Sequence, residues 1–174
     1  MTSKDQNKFL TISGGKPLKG EVQIRGAKNA IPKMMVAALL SNQPSTLHNV
    51  ANVADVEIVT RMIELLGGRV ENDLSGTLIV HAPQIQPASP ERLHKIAGTS
   101  RIPILFAGPL LHRANKAILP ELGGCVIGTR PVDFHLHALK KLGASEHDIK
   151  GGYELTTSGL KGVKIALDYP SVMA

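Results

Sequence analysis

Tryptophan is absent, and aromatic residues make up only 3% of the 174 positions. Little surface is left on which bases could stack, so a net charge of +6 does not by itself point to nucleic acid. The 20 Lys and Arg are scattered along the chain without a dense run. No nucleic-acid partner is expected; a small polyanion suits the excess cation better. One cysteine excludes an internal disulfide and fits a reducing compartment. No apolar run approaches the roughly 20 residues that span a bilayer, and the polar start Met1-Thr2-Ser3-Lys4-Asp5-Gln6 lacks a signal peptide's apolar core. A cytoplasmic chain with no membrane partner is therefore expected. The 7 histidines lack zinc-ligand spacing, since His135 and His137 point to different sides of a helix and no Cys-x-x-Cys occurs. No metal is expected.

With 43% hydrophobic residues, the chain can build one ordinary core. Its chemistry gathers in Gly123–His135, which holds the cysteine, three glycines and Arg130. Gly123-Gly124 frees the backbone before Cys125, so the thiol can stand on an exposed loop. A nearby guanidinium or helix start would favour the reactive thiolate, and Arg130 precedes a helix opened by Pro131, a place suited to an anion. A lone cysteine is also commonly a small buried hydrophobe, and both readings stay open at this point. The string GGCVIG matches neither a Walker A loop nor a dinucleotide fingerprint.

Alternating apolar and polar residues predict strands at Phe9–Ser13 and Glu21–Arg25. A helix follows with Met34, Met35, Ala38 and Leu39 buried, which leaves Lys28 and Asn29 at the strand-to-helix junction. Ser45–Val50 reads as a strand, and Asp55 as the cap of a helix through Leu66. Arg69–Glu71 and Leu78–His81 read as strands, and Glu91–Ile96 as a helix. Ile102–Leu111 reads as an apolar helix with Arg101 at its head. After a strand at Ala117–Leu119, a helix spans Pro131–Leu142, a hairpin pairs Ser145–Asp148 with Tyr153–Thr156, and Val163–Leu167 is a last strand. Strand, helix and two strands thus occur twice, an internal repeat of about 75 residues. A third helix should begin at Asp168–Ala174, so the chain is expected to be the front part of a longer protein.

Four separated segments, Gly26-Ala27-Lys28-Asn29-Ala30, Gly108-Pro109-Leu110-Leu111, Gly123–His135 and Asp168–Val172, closely resemble the UDP-N-acetylglucosamine enolpyruvyl transferases. The resemblance covers essentially the whole chain but only the front part of the family's length. It implies an α/β fold, the inside-out enolpyruvyl transferase barrel built of strand-helix-strand repeats, incomplete here. Residues 1–27 would be strands of the far domain. Residues 28–174 would supply most of two repeats of the near domain and the start of a third.

The implied activity is that of a transferase, moving the enolpyruvyl group of phosphoenolpyruvate to the 3-hydroxyl of UDP-N-acetylglucosamine with release of phosphate, at the entry to peptidoglycan synthesis. No cofactor is implied. By resemblance Cys125 would be the acid, and Lys28, Arg101 and Arg130 would hold phosphoenolpyruvate. Asn29, Arg130, Pro131, Val132, Asp133, His135, Ser171 and Val172 would line the sugar nucleotide. The chain departs from the family at Leu119-Pro120-Glu121-Leu122 before the two glycines, at Leu105, and at Tyr169 and Met173. The base and a further arginine would lie in the missing C-terminal half, the fragment's implied partner, so the fragment alone is expected to be inactive. A shikimate enolpyruvyl transferase and a non-catalytic nucleotide-sugar-binding fragment are the alternatives.

Overall fold

A computed structural model describes residues 11–73, 75–98, 100–121 and 132–167. Helix α1 (Ile31–Ala37) opens with Pro32 in its first turn, where a missing N–H costs nothing, and tightens into a 3-10 turn at Ala38–Leu40. Ile31, Pro32, Met35, Val36 and Leu39 are buried. Met34, expected inside, is instead half exposed, because the buried stripe runs through Ile31, Met35 and Leu39 at helical spacing and position 34 falls beside it.

Strand β1 (Ser45–Leu47) leads into α2 (Ala54–Leu65), on which Val56, Val59, Met62 and Ile63 recur at helical spacing and are buried. Each such side chain contributes about 1.5–3 kcal/mol by leaving water. Asp55 is not the cap. Val53 holds that place in extended backbone, and Asp55 lies within the first turn, where its charge still suits the helix dipole. The helix ends at Leu66, and Gly67 takes the left-handed conformation (φ 93°) that turns the chain toward the sheet. Strands β2 (Arg69–Asn72) and β3 (Leu78–His81) complete a sheet of order β1-β3-β2, with β3 antiparallel to both neighbours.

Helix α3 (Pro90–Ala97) follows, then a 3-10 turn (Ile102–Phe106) where one continuous helix was expected, and α4 (Ala107–Ala114). Strand β4 (Lys116–Pro120), α5 (Asp133–Lys141), β5 (Ala144–Ile149) and β6 (Gly152–Thr157) then repeat the first unit, with sheet order β4-β6-β5. Corresponding strands take the same places in both sheets, as the doubled pattern predicts. The spacing refines the repeat: 71 residues separate Ile31-Pro32 from Ile102-Pro103 and Ser45 from Lys116, but 76 separate Gly67 from Gly143. Five extra residues therefore enter the second unit between the start of β4 and the end of α5, an interval that includes Gly123–His135.

Helix α2 packs against α1, α3, β2 and the 3-10 turn at 102–106, so helices fill the middle while strands such as β2 keep an exposed face. One apolar core runs through both units, from Val59 and Ile63 to Leu111 and Leu155. Three expected strands are not formed among the described residues. Of Phe9–Ser13 the described part, residues 11–13, is irregular and exposed, as is Glu21–Arg25, and Val163–Leu167 is likewise irregular. Their alternation is genuine, but no neighbouring strand among the described residues offers them a ladder of hydrogen bonds.

Candidate active site

The entry to α1 carries Lys28 and Asn29, both exposed. Gly26 N–H donates to the Asn49 carbonyl at 2.9 Å, and Ala30 N–H donates to the Ala27 carbonyl at 3.0 Å, so the chain turns sharply around these two residues. Lys33 Nζ donates to the Asn29 carbonyl at 2.8 Å, adding a second cation to the same turn.

Arg101 stands immediately before the 3-10 turn at 102–106, half-buried, with Ile102 N–H donating to Ser100 Oγ at 3.2 Å beside it. Across from it lies the first turn of α5. Val132 is half-buried and packs on the core, whereas Asp133 and His135 are exposed. Partial desolvation pushes the His135 imidazole below its ordinary value, the Arg101 guanidinium pushes it further in the same direction, and Asp133 opposes both. The ring is otherwise open to solvent, which screens the effect. The fold thus brings Arg101 and His135, 34 positions apart, within electrostatic reach of one another.

The element headed by Arg101 also packs against α1, the helix that Lys28 precedes. Two of the expected anion-binding cations therefore stand just before adjoining core elements, Lys28 ahead of Ile31 and Arg101 ahead of Ile102. Cys125, Arg130, Pro131, Ser171 and Val172 lie outside the described residues. Among the described residues, no cluster of His, Cys, Asp and Glu could hold a metal ion.

Two adjoining hollows, of about 380 and about 270 Å³, occur elsewhere, around the connection from β1 to α2. Asn52 and Asn72 line both, with Glu57 and Thr60 in one and Arg25 and Asp73 in the other. No site residue expected from the sequence borders either. Glu57 and Asp73 make these hollows a poor receptacle for a polyanion.

Sequence reasoning missed two residues. Arg113 donates through Nη1 to the carbonyls of Leu39 and Ser41, each at 2.8 Å, and through Nη2 to those of Ala82 at 3.1 Å and Pro83 at 3.0 Å. Nothing in its local pattern distinguishes it from a solvated basic residue at a helix end. Asn49 has left-handed backbone (φ 58°), and its only sequence signal is an asparagine just past a strand.

Residues 12–174 match the family model described as EPSP synthase (3-phosphoshikimate 1-carboxyvinyltransferase). The chain belongs to the EPSP synthase family. Among curated members, the chain is 44% identical over 173 residues to the UDP-N-acetylglucosamine 1-carboxyvinyltransferase of Protochlamydia amoebophila, covering 95% of this chain and 37% of that one. It is 38% identical to the protein of the same name from Lawsonia intracellularis, covering 94% of this chain and 38% of the relative. The chain thus spans less than two-fifths of the length of these relatives. Among solved structures of the family's fold, the enolpyruvyl transferase NikO from Streptomyces tendae superposes with a TM-score of 0.69 at 20% identity, covering 84% of this chain and 32% of that one. The EPSP synthase from Acinetobacter baumannii superposes with a TM-score of 0.63 at 18% identity, covering 91% and 37%. The family member described here therefore has the enolpyruvyl transferase fold, in part.

Proposed function

We propose that this chain is the front portion of an enolpyruvyl transferase that joins phosphoenolpyruvate to the 3-hydroxyl of UDP-N-acetylglucosamine, in the cytoplasm, at the start of peptidoglycan synthesis. The observation that carries the reading is the 44% identity to a relative of that name over nearly the whole chain. The shikimate alternative draws on the family model's description and a shared fold at 18% identity, which is weaker support for a substrate.

The reaction makes definite demands. The sugar hydroxyl loses its proton and attacks C2 of phosphoenolpyruvate while C3 gains a proton, forming a tetrahedral ketal; C3 then gives up a proton as the C2–O bond to phosphate breaks. A general acid must reach C3, and cations must hold a carboxylate and a phosphate together. Cys125 takes the acid's role, and Lys28, Arg101 and Arg130 hold the anion. Asn29, Arg130, Pro131, Val132, Asp133, His135, Ser171 and Val172 line the sugar nucleotide. The convergence of Lys28 and Arg101 on adjoining elements, and of Arg101 on the Asp133–His135 turn, supports this assignment.

Residues 1–27 are assigned to a second domain, and residues 28–174 to two repeats and the start of a third. Exposure of Ile12, Leu18, Val22 and Ile24 supports that division, since apolar side chains at 75–98% exposure are suited to a partner surface. The chain spans less than two-fifths of its relatives' length, which supports a need for further residues in turnover.

The test is intact-mass analysis of the chain after exposure to an epoxide phosphonate, with and without UDP-N-acetylglucosamine, using Cys125→Ser as control. One adduct on Cys125, formed faster with the sugar nucleotide, is the expected outcome. Labelling that is absent, or that ignores the nucleotide, would leave a non-catalytic fragment of the family as the better account.

A further inference from the structure

We propose that Asn49 is a positioning residue for Lys28, acting through Gly26; this rests on the reading of Lys28 as a cation that holds phosphoenolpyruvate. Asn49 follows β1 with φ at 58°, a left-handed conformation that asparagine tolerates better than most residues with a side chain. The next residue, Val50, is buried, and its N–H donates to the Gly76 carbonyl at 2.8 Å. Gly76 belongs to the turn between β2 and β3, which Asp73 ties together. Asp73 Oδ1 accepts from Ser75 N–H at 3.0 Å, from Thr77 N–H at 2.8 Å and from the Ser75 hydroxyl at 2.6 Å. The Asn49 carbonyl is thus presented from a fixed support.

That carbonyl accepts Gly26 N–H at 2.9 Å, and no side chain fits at position 26, because a Cβ there would run into the same oxygen. One residue earlier, Arg25 Nη1 donates to the Ser75 carbonyl at 3.3 Å. Two consecutive residues are therefore tied to two loops of the first unit, and Lys28 stands two residues further on. Ile31 N–H and Ala30 N–H both donate to the Ala27 carbonyl, which closes the turn on the other side of Lys28. An exposed lysine has a long, flexible stem, so what the fold can set is the place of its backbone. A displacement of about 1 Å there is enough to weaken capture of an oriented anion.

Lysine acylation mapped by peptide mass spectrometry on the 174-residue chain, with and without phosphoenolpyruvate, tests this together with amide exchange at Gly26. Phosphoenolpyruvate slows Lys28 acylation in the unmodified chain and in Asn49→Gly, which keeps the left-handed backbone. Asn49→Val, whose branched side chain disfavours that backbone, and Gly26→Ala each need at least about tenfold more ligand for equal protection. The Gly26 amide exchanges slowly in the unmodified chain and in Asn49→Gly, and fast in Asn49→Val. Where Asn49→Val does not fold, Asn49→Ala carries the same comparison with less strain. The proposal is overturned if Gly26 stays slow to exchange in Asn49→Val, or if exchange quickens while the protecting concentration is unchanged. Failure of phosphoenolpyruvate to protect Lys28 in any variant, with Gly26 still slow to exchange, refutes the reading of Lys28 and with it the positioning role, while the contact between Asn49 and Gly26 stands.

Discussion

Arg113 shows how one side chain can join two units that sequence reading treats separately. Its planar fork meets four neutral carbonyls, two at the end of the first 3-10 turn and two just after β3. Lysine can neither span four acceptors nor hold a fixed plane, so Arg113→Lys should lower stability by about 2 kcal/mol in urea unfolding. Arg113→Ala should cost at least as much, and an unchanged midpoint in both would show the fork to be dispensable. His135 makes a prediction about pH. Its folded-state value lies below the ordinary 6.5, so the unfolded chain takes up the proton first as pH falls through that value. Stability should therefore decline below pH 6.5, and His135→Gln should flatten that part of the profile in thermal melts. An unaltered profile would mean that the ring is neither desolvated nor held beside Arg101 in solution.

At the scale of elements, the central strand of the second sheet depends on a missing side chain. Gly152 pairs with Pro120, and a Cβ at position 152 would run into the Leu119 carbonyl. Gly152→Ala should thus cost about 3 kcal/mol, measured by denaturant unfolding, because backbone and not a flexible side chain must move. Helix α5 differs from α2 in another way: none of its residues is fully buried, although Leu136 and Leu139 pack partly on the core. Amide exchange in α5 should be faster than in α2 or α4, and equal protection would contradict the packing seen. The helical spacing of α2 and the hairpin of β5 and β6 were legible in the sequence, since each is settled by local pattern. The break between the 3-10 turn and α4 was not, because a run as apolar as Ile102–Leu111 carries no periodic signal to separate the two.

For the whole molecule, the exposed segment 11–25 contributes no buried side chain to the core. Limited proteolysis should cut there first and leave the thermal transition of the remainder within about 2 °C of the intact chain, as expected when few contacts are lost. A large downward shift would show that the segment packs on the core. The candidate site was legible only by resemblance: Lys28 and Arg101 are separated by 73 positions, and nothing local relates them. Chain folding packs the helix that Lys28 precedes against the 3-10 turn that Arg101 precedes.

The family's motifs were found by resemblance, whereas local pattern alone determined where most helices and hairpins lie and that strand, helix and two strands occur twice. These are short-range matters, decided by backbone preference and the period of apolar side chains. Only the tertiary structure decided that Asn49 holds Gly26, that Arg113 joins the two units, and that residues 21–25 and 163–167 form no strand despite their alternation. A strand needs a neighbour to satisfy its backbone, and a positioning carbonyl needs a support; both come from residues distant in the chain.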